Sequence, residues 1–225
     1  MSPRPRDRKG NIYFLFARLF REAPLQELLR AIVDHNLLTA ARDFLKEGVT
    51  EKGEILEDPV WLEKNEAIAL EFASLFLVPG ENLISPYESC YCDTLTIDTS
   101  TACSAYFEPE AFPKEGFKGF LCGPSTRSVQ KAYEAFGFEL DPSFHDLPDH
   151  GAVELEFMGR LLSSGEYDQA DRFFREHPGR WMAPFLGRLT EQSVSPFYRA
   201  VAQSLRGYLN GITALSSPGR LLAIP

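Results

Sequence analysis

The sequence has few of the residues on which catalysis and metal binding draw. Histidine occurs four times, at His35, His145, His150 and His177, and none sits in a His-Glu-x-x-His zinc helix or a recognised catalytic motif. A Gly-x-x-x-x-Gly-Lys phosphate loop is missing as well. Cysteine is scarce. Cys90, Cys92, Cys103 and Cys122 fall in the middle third, with a Cys-x-Cys pair and no Cys-x-x-Cys, which is not a standard zinc spacing. Unpaired thiols are expected ahead of one disulfide or a metal or cluster site. The sequence also lacks a long apolar run: Arg18 interrupts Ile12 to Phe20, Arg21 and Glu22 follow with no small-residue cleavage site, and Glu71 breaks Ile68 to Val78. Neither stretch approaches the ~20 residues of a membrane span, and the first does not read as a secretory signal.

Positive charge is short too. Lys and Arg number 23 against 32 Asp and Glu, a formal charge of −9, and the first ten residues contribute +3, leaving −12 on the remainder. An acidic body repels phosphate backbones, so nucleic acid is not an expected partner. Alternating strand patterns, internal repeats and low-complexity tracts are all missing. These absences point to a soluble, cytoplasmic protein that is neither an enzyme nor stably inserted in a membrane.

Helical rhythm fills much of the chain. Ile12, Leu15, Phe16, Leu19 and Phe20 share one helix face that ends near Pro24. Leu25 to Leu38 and Thr39 to Lys46 continue in the same manner, with Gly48 as a stop. Asp58 before Pro59 reads as an N-cap with a first-turn proline, and Trp61, Ile68, Phe72, Leu75 and Phe76 then form a stripe that should end before Pro79-Gly80. From Asn82 to Gly123 the period disappears, which predicts a long ordered loop or short packed elements. It returns at Pro124, where Val129, Ala132, Tyr133 and Phe136 share a face closed by Gly137. Pro148 to Leu162, Tyr167 to His177, Arg180 to Leu189 with Pro184 as a kink or new start, and Pro196 to Leu215 complete the set. In the last, Ser195 caps, and Tyr198, Val201, Leu205, Tyr208 and Ile212 form the buried stripe. The expected fold is all-α: one domain over residues 1–225 with about 8–11 helices, a flexible basic tail at 1–10 and a loop or insertion at 82–123.

Unrolled at 100° per residue, the helix after Pro148 has an apolar arc about 200° wide, too wide for a surface helix. His150 and Glu154 fall inside that arc, four residues apart and able to touch, whereas Asp149 falls near the polar side and could supply charge to the first turn. A buried carboxylate must be satisfied, so the pair serves either a structural hydrogen-bond network or binding. Ser85-Pro86-Tyr87-Glu88-Ser89 offers an extended approach and an aromatic body with a polar tip, although turn chemistry explains that segment equally well.

Glu71 to Phe76 with Pro79-Gly80 and Pro86 to Tyr91 resembles the signature of the TorD/DmsD/NarJ family of redox-enzyme maturation chaperones. Four later blocks agree in order: Val129 to Gly137, Leu147 to Met158, His177 with Trp181 and Phe185, and Ser195 to Tyr198. The resemblance implies an all-helical chaperone that binds the twin-arginine leader and the apo form of a molybdopterin oxidoreductase before cofactor insertion and export. It carries the client-binding role onto Pro86, Tyr87, Glu88, Pro148, Asp149, His150 and Glu154. Some members are linked to guanine nucleotide or molybdopterin cofactor, so the resemblance implies at most a weak contact of that kind and no cofactor of the chain's own. It leaves open a monomer or a domain-exchanged dimer. Two departures stand out. Tyr87 occupies a place where many members have tryptophan, and Thr94 to Leu121 is longer than usual. The competing expectation is a small-ligand or metal module built on that cysteine-bearing insertion. Charge and shape favour the chaperone, because a basic and then apolar leader is complemented by an acidic surface beside an aromatic groove.

Overall fold

The structure, a computed structural model, describes residues 5–43, 65–95, 117–142 and 144–215. Their helices are α1 (Pro5–Arg21), α2 (Gln26–Asp34), α3 (Leu37–Asp43), α4 (Asn65–Phe72), α5 (Glu88–Cys92), α6 (Pro124–Ala135), α7 (Gly151–Ser163), α8 (Tyr167–Glu176), α9 (Pro178–Gln192) and α10 (Pro196–Leu215). Extended pairing among these residues is confined to two isolated bridges, Tyr87 with His150 and Leu95 with Phe117. The all-α expectation therefore holds.

The core forms around α7. α1 covers one side of it, and α8 and α9 cover another. Ala152, Val153, Leu155, Phe157, Met158 and Leu161 are accordingly all buried, which is the physical reason for the wide apolar arc. α1 comes close because two glycines face the contact: a Cβ on Gly10 would lie 2.9 Å from the Gly159 carbonyl, and one on Gly159 would lie 2.7 Å from the Phe14 ring. Tyr13, Phe16, Leu19 and Phe20 of α1 are buried, each such side chain contributing roughly 1.5–3 kcal/mol.

Three expectations need correction. Residues 5–10, placed in a flexible basic tail, belong to α1, since proline in the first turn lacks only an N–H that a helix leaves unpaired anyway. Pro184 lies inside α9 and does not reset its start, which is at Pro178. The helix read from Pro148 begins at Gly151, so Pro148, Asp149 and His150 precede it. The proposed stop at Gly48, the cap at Asp58-Pro59, Trp61 and Cys103 lie outside the described residues, as does the side chain of Ile212.

After α4 the backbone widens into a π-helical turn over Ala73–Leu77, closed by the Val78 N–H donating to the Ala73 carbonyl at 2.8 Å. Leu75 and Phe76 stay buried while Leu77 and Val78 turn outward. The Leu75 carbonyl, left over at the helix end, accepts from the Ile84 N–H at 2.7 Å. This bond starts the extended return that delivers Pro86 and Tyr87 to the front of α7.

Remote carboxylates hold three helix starts. Asp149 Oδ2 accepts from Ser89 N (2.9 Å) in α5, Asp93 Oδ2 from Ser125 N (2.9 Å) in α6, and Glu71 Oε1 from Val194 N (2.7 Å) and Ser195 N (2.9 Å) ahead of α10. Each negative charge faces the positive end of a helix and satisfies an otherwise orphaned donor.

Candidate functional site

Residues 86–89 and 149–151 are stitched together edge to edge. Glu88 N donates to the Asp149 carbonyl at 3.0 Å, and Gly151 N donates to the Pro86 carbonyl at 2.8 Å. The Tyr133 hydroxyl of α6 donates to the Pro148 carbonyl at 3.0 Å and supports the second segment from behind. The two stretches singled out in the sequence thus meet in space, and all seven predicted residues lie in or against this junction.

Beneath it sits a buried polar knot. Glu88, Asp149 and Glu154 are each 0% exposed. Glu88 Oε2 lies 2.8 Å from His177 Nδ1, while Arg180 Nη1 reaches Glu88 Oε1 at 3.4 Å from a half-exposed position. Trp181 Nε1 donates to Glu154 Oε2 at 2.9 Å, and its ring stacks on Tyr91 at 5.4 Å. The expected His150–Glu154 contact is not made. His150 lies ahead of the helix and turns its Nδ1 to accept from Ala152 N at 3.0 Å, and Glu154 faces α9 instead. Asp149, expected near the polar side, is buried as the cap of α5 for the same reason, because helical angles do not apply before the helix begins.

Burial pushes the Glu154 carboxyl well above its ordinary range, with the neighbouring Glu88 charge acting in the same direction. As a carboxylate its Oε1 would have no partner among the described residues. Burial lowers the His150 imidazole to about 4, against opposing pulls from Asp146 and Asp149. His150 is therefore neutral, Nδ1 accepts, and the proton sits on Nε2.

Above the knot lies a partly exposed aromatic surface. Tyr87 and Phe144 both meet the His150 ring edge to face, at 5.1 and 5.9 Å. The Tyr87 hydroxyl donates to Asp146 Oδ1 at 2.7 Å, which ties the loop before α7 to the segment before α5. Arg21 of α1 lays its guanidinium over the Phe144 ring at 5.1 Å. A second exposed apolar area, a shallow depression beside the π-helical turn, is lined by Leu70, Ala73, Val78, Pro79, Gly80 and Asn82.

Among the described residues the arrangement gathers carboxyls, an imidazole, a guanidinium and aromatic rings. Burial raises the Cys90 thiol, which accepts from Ser85 Oγ at 2.9 Å, and pushes Cys92 up to about 11, so both stay protonated and are poor metal ligands and nucleophiles. Among the described residues no three His, Cys, Asp or Glu side chains converge as a metal site. No helix among them is long and apolar enough to cross a membrane.

His177, Arg180 and Trp181 complete the site and were not expected to take part in it. Their partners lie 89, 92 and 27 residues away, so nothing local marks them. The one available signal was His177, Trp181 and Phe185 recurring every fourth residue along a helix face.

The chain is 26% identical over 162 residues to the chaperone protein TorD of Shewanella piezotolerans, covering 72% of this chain and 66% of that one. It is 23% identical over 155 residues to TorD of Shewanella pealeana, covering 69% and 61%. TorD of Vibrio parahaemolyticus is 22% identical over 225 aligned residues, covering 88% and 90%. The chain thus spans less than two thirds of the length of the two Shewanella proteins. The model of the nitrate reductase delta subunit family matches residues 20–187, a span that contains the stitched segments, the knot and the aromatic surface, and the chain belongs to that family.

Proposed function

We propose that this protein is a cytoplasmic maturation chaperone that holds the twin-arginine leader and the apo form of a molybdopterin oxidoreductase while cofactor is inserted. The observation that carries the reading is the aromatic surface of Tyr87, Phe144 and His150 backed by fully buried carboxylates. Such a surface is rigid, partly apolar, and set in a body of net negative charge. An apolar leader segment would pack on the rings. Asp146 and the acidic body suit the arginines. Names of the relatives support the same reading, since each is called a chaperone. No bond is made or broken; the client is bound and released. The reading needs no resident cofactor.

Fluorescence anisotropy with a labelled leader, basic pair first and apolar stretch after, tests this. Binding should weaken at high salt as the charges are screened. Tyr87→Ala should weaken it about tenfold or more, as loss of an aromatic anchor does. His150→Asn keeps an N-cap acceptor while removing the ring, so it should weaken binding with helical content unchanged. Wild-type affinity in both folded variants would refute the placement of the client.

A further inference from the structure

Glu156 sits at the edge of the aromatic surface and carries two guanidinium groups, one on each carboxylate oxygen. Arg21 of α1 donates to Oε2, and Arg160, one helical turn along α7, donates to Oε1 with Nη2 at 2.8 Å and Nε at 3.2 Å. Each guanidinium is also covered by a phenylalanine from the chain between α6 and α7. Arg21 lies under Phe144 at 5.1 Å, and Arg160 under Phe138 at 5.2 Å. Desolvation alone would raise the Glu156 carboxyl, but hydrogen bonds from Arg160 and Arg21 outweigh it and hold it below its usual range.

A carboxylate and an aromatic face together make a selective guanidinium receptor, because the planar fork bonds the oxygens edge-on while its face stacks. Here two receptors share one carboxylate. The Glu156 side chain is 18% exposed, whereas Arg21 and Arg160 are 37% and 59% exposed. The resident arginines can therefore leave toward solvent without opening the core. Phe144 touches Arg21 on one side and His150 on the other, so the receptor is continuous with the proposed client site.

We infer that Glu156, Phe138 and Phe144 form a double arginine seat that the free protein fills with its own Arg21 and Arg160, and that a paired-arginine segment of the client takes by exchange. This rests on the client reading above and adds a self-occupied state to it. The internal arginines act as competitors: they keep Glu156 paired when no client is present and reject segments that cannot replace a guanidinium. Lysine, a point charge without a planar face, is a poor replacement.

Two measurements test the exchange on the full chain. The first is affinity for a synthetic peptide with Arg-Arg ahead of an apolar stretch, beside its Lys-Lys twin. Arg21→Met keeps an apolar stem over Phe144 and removes the competitor, so it should tighten Arg-Arg binding by about three- to tenfold, the scale of an exposed ion pair plus a cation–π contact. Arg160→Met should act in the same direction. Glu156→Gln should weaken Arg-Arg binding and erase the preference over Lys-Lys. The second is the nitrogen-15 signals of the Arg21 and Arg160 Nε–H groups, which should move on adding Arg-Arg peptide and stay still with Lys-Lys. Wild-type binding that Arg21→Met and Arg160→Met leave unchanged or weaken, with both Nε–H signals still, would overturn the exchange and leave the client reading intact. No binding by wild type or any folded variant would overturn both.

Discussion

Tyr87 and Glu88 are neighbours in sequence, yet one lies on the aromatic surface and the other is wholly buried in the knot. The same division separates Asp146 from Asp149. Asp146 is exposed and takes the Tyr87 hydroxyl, while Asp149 is buried and caps α5. A knot of buried carboxyls bonded to His177, Arg180 and Trp181 lies below, and a surface of rings and arginines lies above. The difference teaches that the acidic residues in these motifs are not interchangeable: Glu88, Asp149 and Glu154 are buried in hydrogen bonds to other elements, whereas Asp146 is exposed beside Tyr87.

The sharpest way to break the comparison is at Trp181. Trp181→Ala removes a fully buried ring and the donor to Glu154, so urea unfolding should show a loss of about 3–5 kcal/mol, far above any substitution on the surface. Acid comes next. The folded-state value of His150, about 4, lies below its unfolded value, so the stability it contributes is present above pH 6.5 and lost as pH falls toward 4, on the order of 3 kcal/mol. Glu154 acts with the opposite sign. Its raised value makes the fold costlier as pH rises above 4.5, and Glu154→Gln, which keeps an acceptor for Trp181 and a donor for Glu88, should gain stability relative to wild type across that rise. Thermal melts from pH 4 to 8 would separate the two. The smallest contrast pairs the aspartates: Asp149→Ala strands the Ser89 N–H and should cost about 1–3 kcal/mol, while Asp146→Ala should cost under about 1 kcal/mol.

Much of the architecture was legible in the chain. Tyr198, Val201, Leu205 and Tyr208 of the α10 stripe with its Ser195 cap, the closure of α6 at Gly137 with φ +61°, and the buried apolar residues of α7 follow from local spacing. The two sequence segments that carry the candidate site were legible, and the structure brings them together. His150 and Glu154 are four residues apart but straddle a helix start, and of the partners that spacing left open each takes a neighbour, Ala152 N for His150 and Trp181 Nε1 for Glu154. Remote carboxylate caps and the His177 and Trp181 contacts depend on how α5, α7 and α9 pack, which no local pattern encodes. The Glu156 seat escaped for a similar reason, since Arg21 and Glu156 lie 135 residues apart.

Everything turns on where a client lies, and two partly apolar surfaces among the described residues compete for it. One is the ring surface around His150; the other is the depression at Leu70, Val78 and Pro79 beside the π-helical turn. A leader peptide carrying a photoreactive residue in its apolar stretch, irradiated on the full chain and mapped by mass spectrometry, decides between them. The account predicts adducts within 85–91 and 144–156. Adducts confined to 70–82, with the Tyr87 and His150 segments unlabelled, would contradict it.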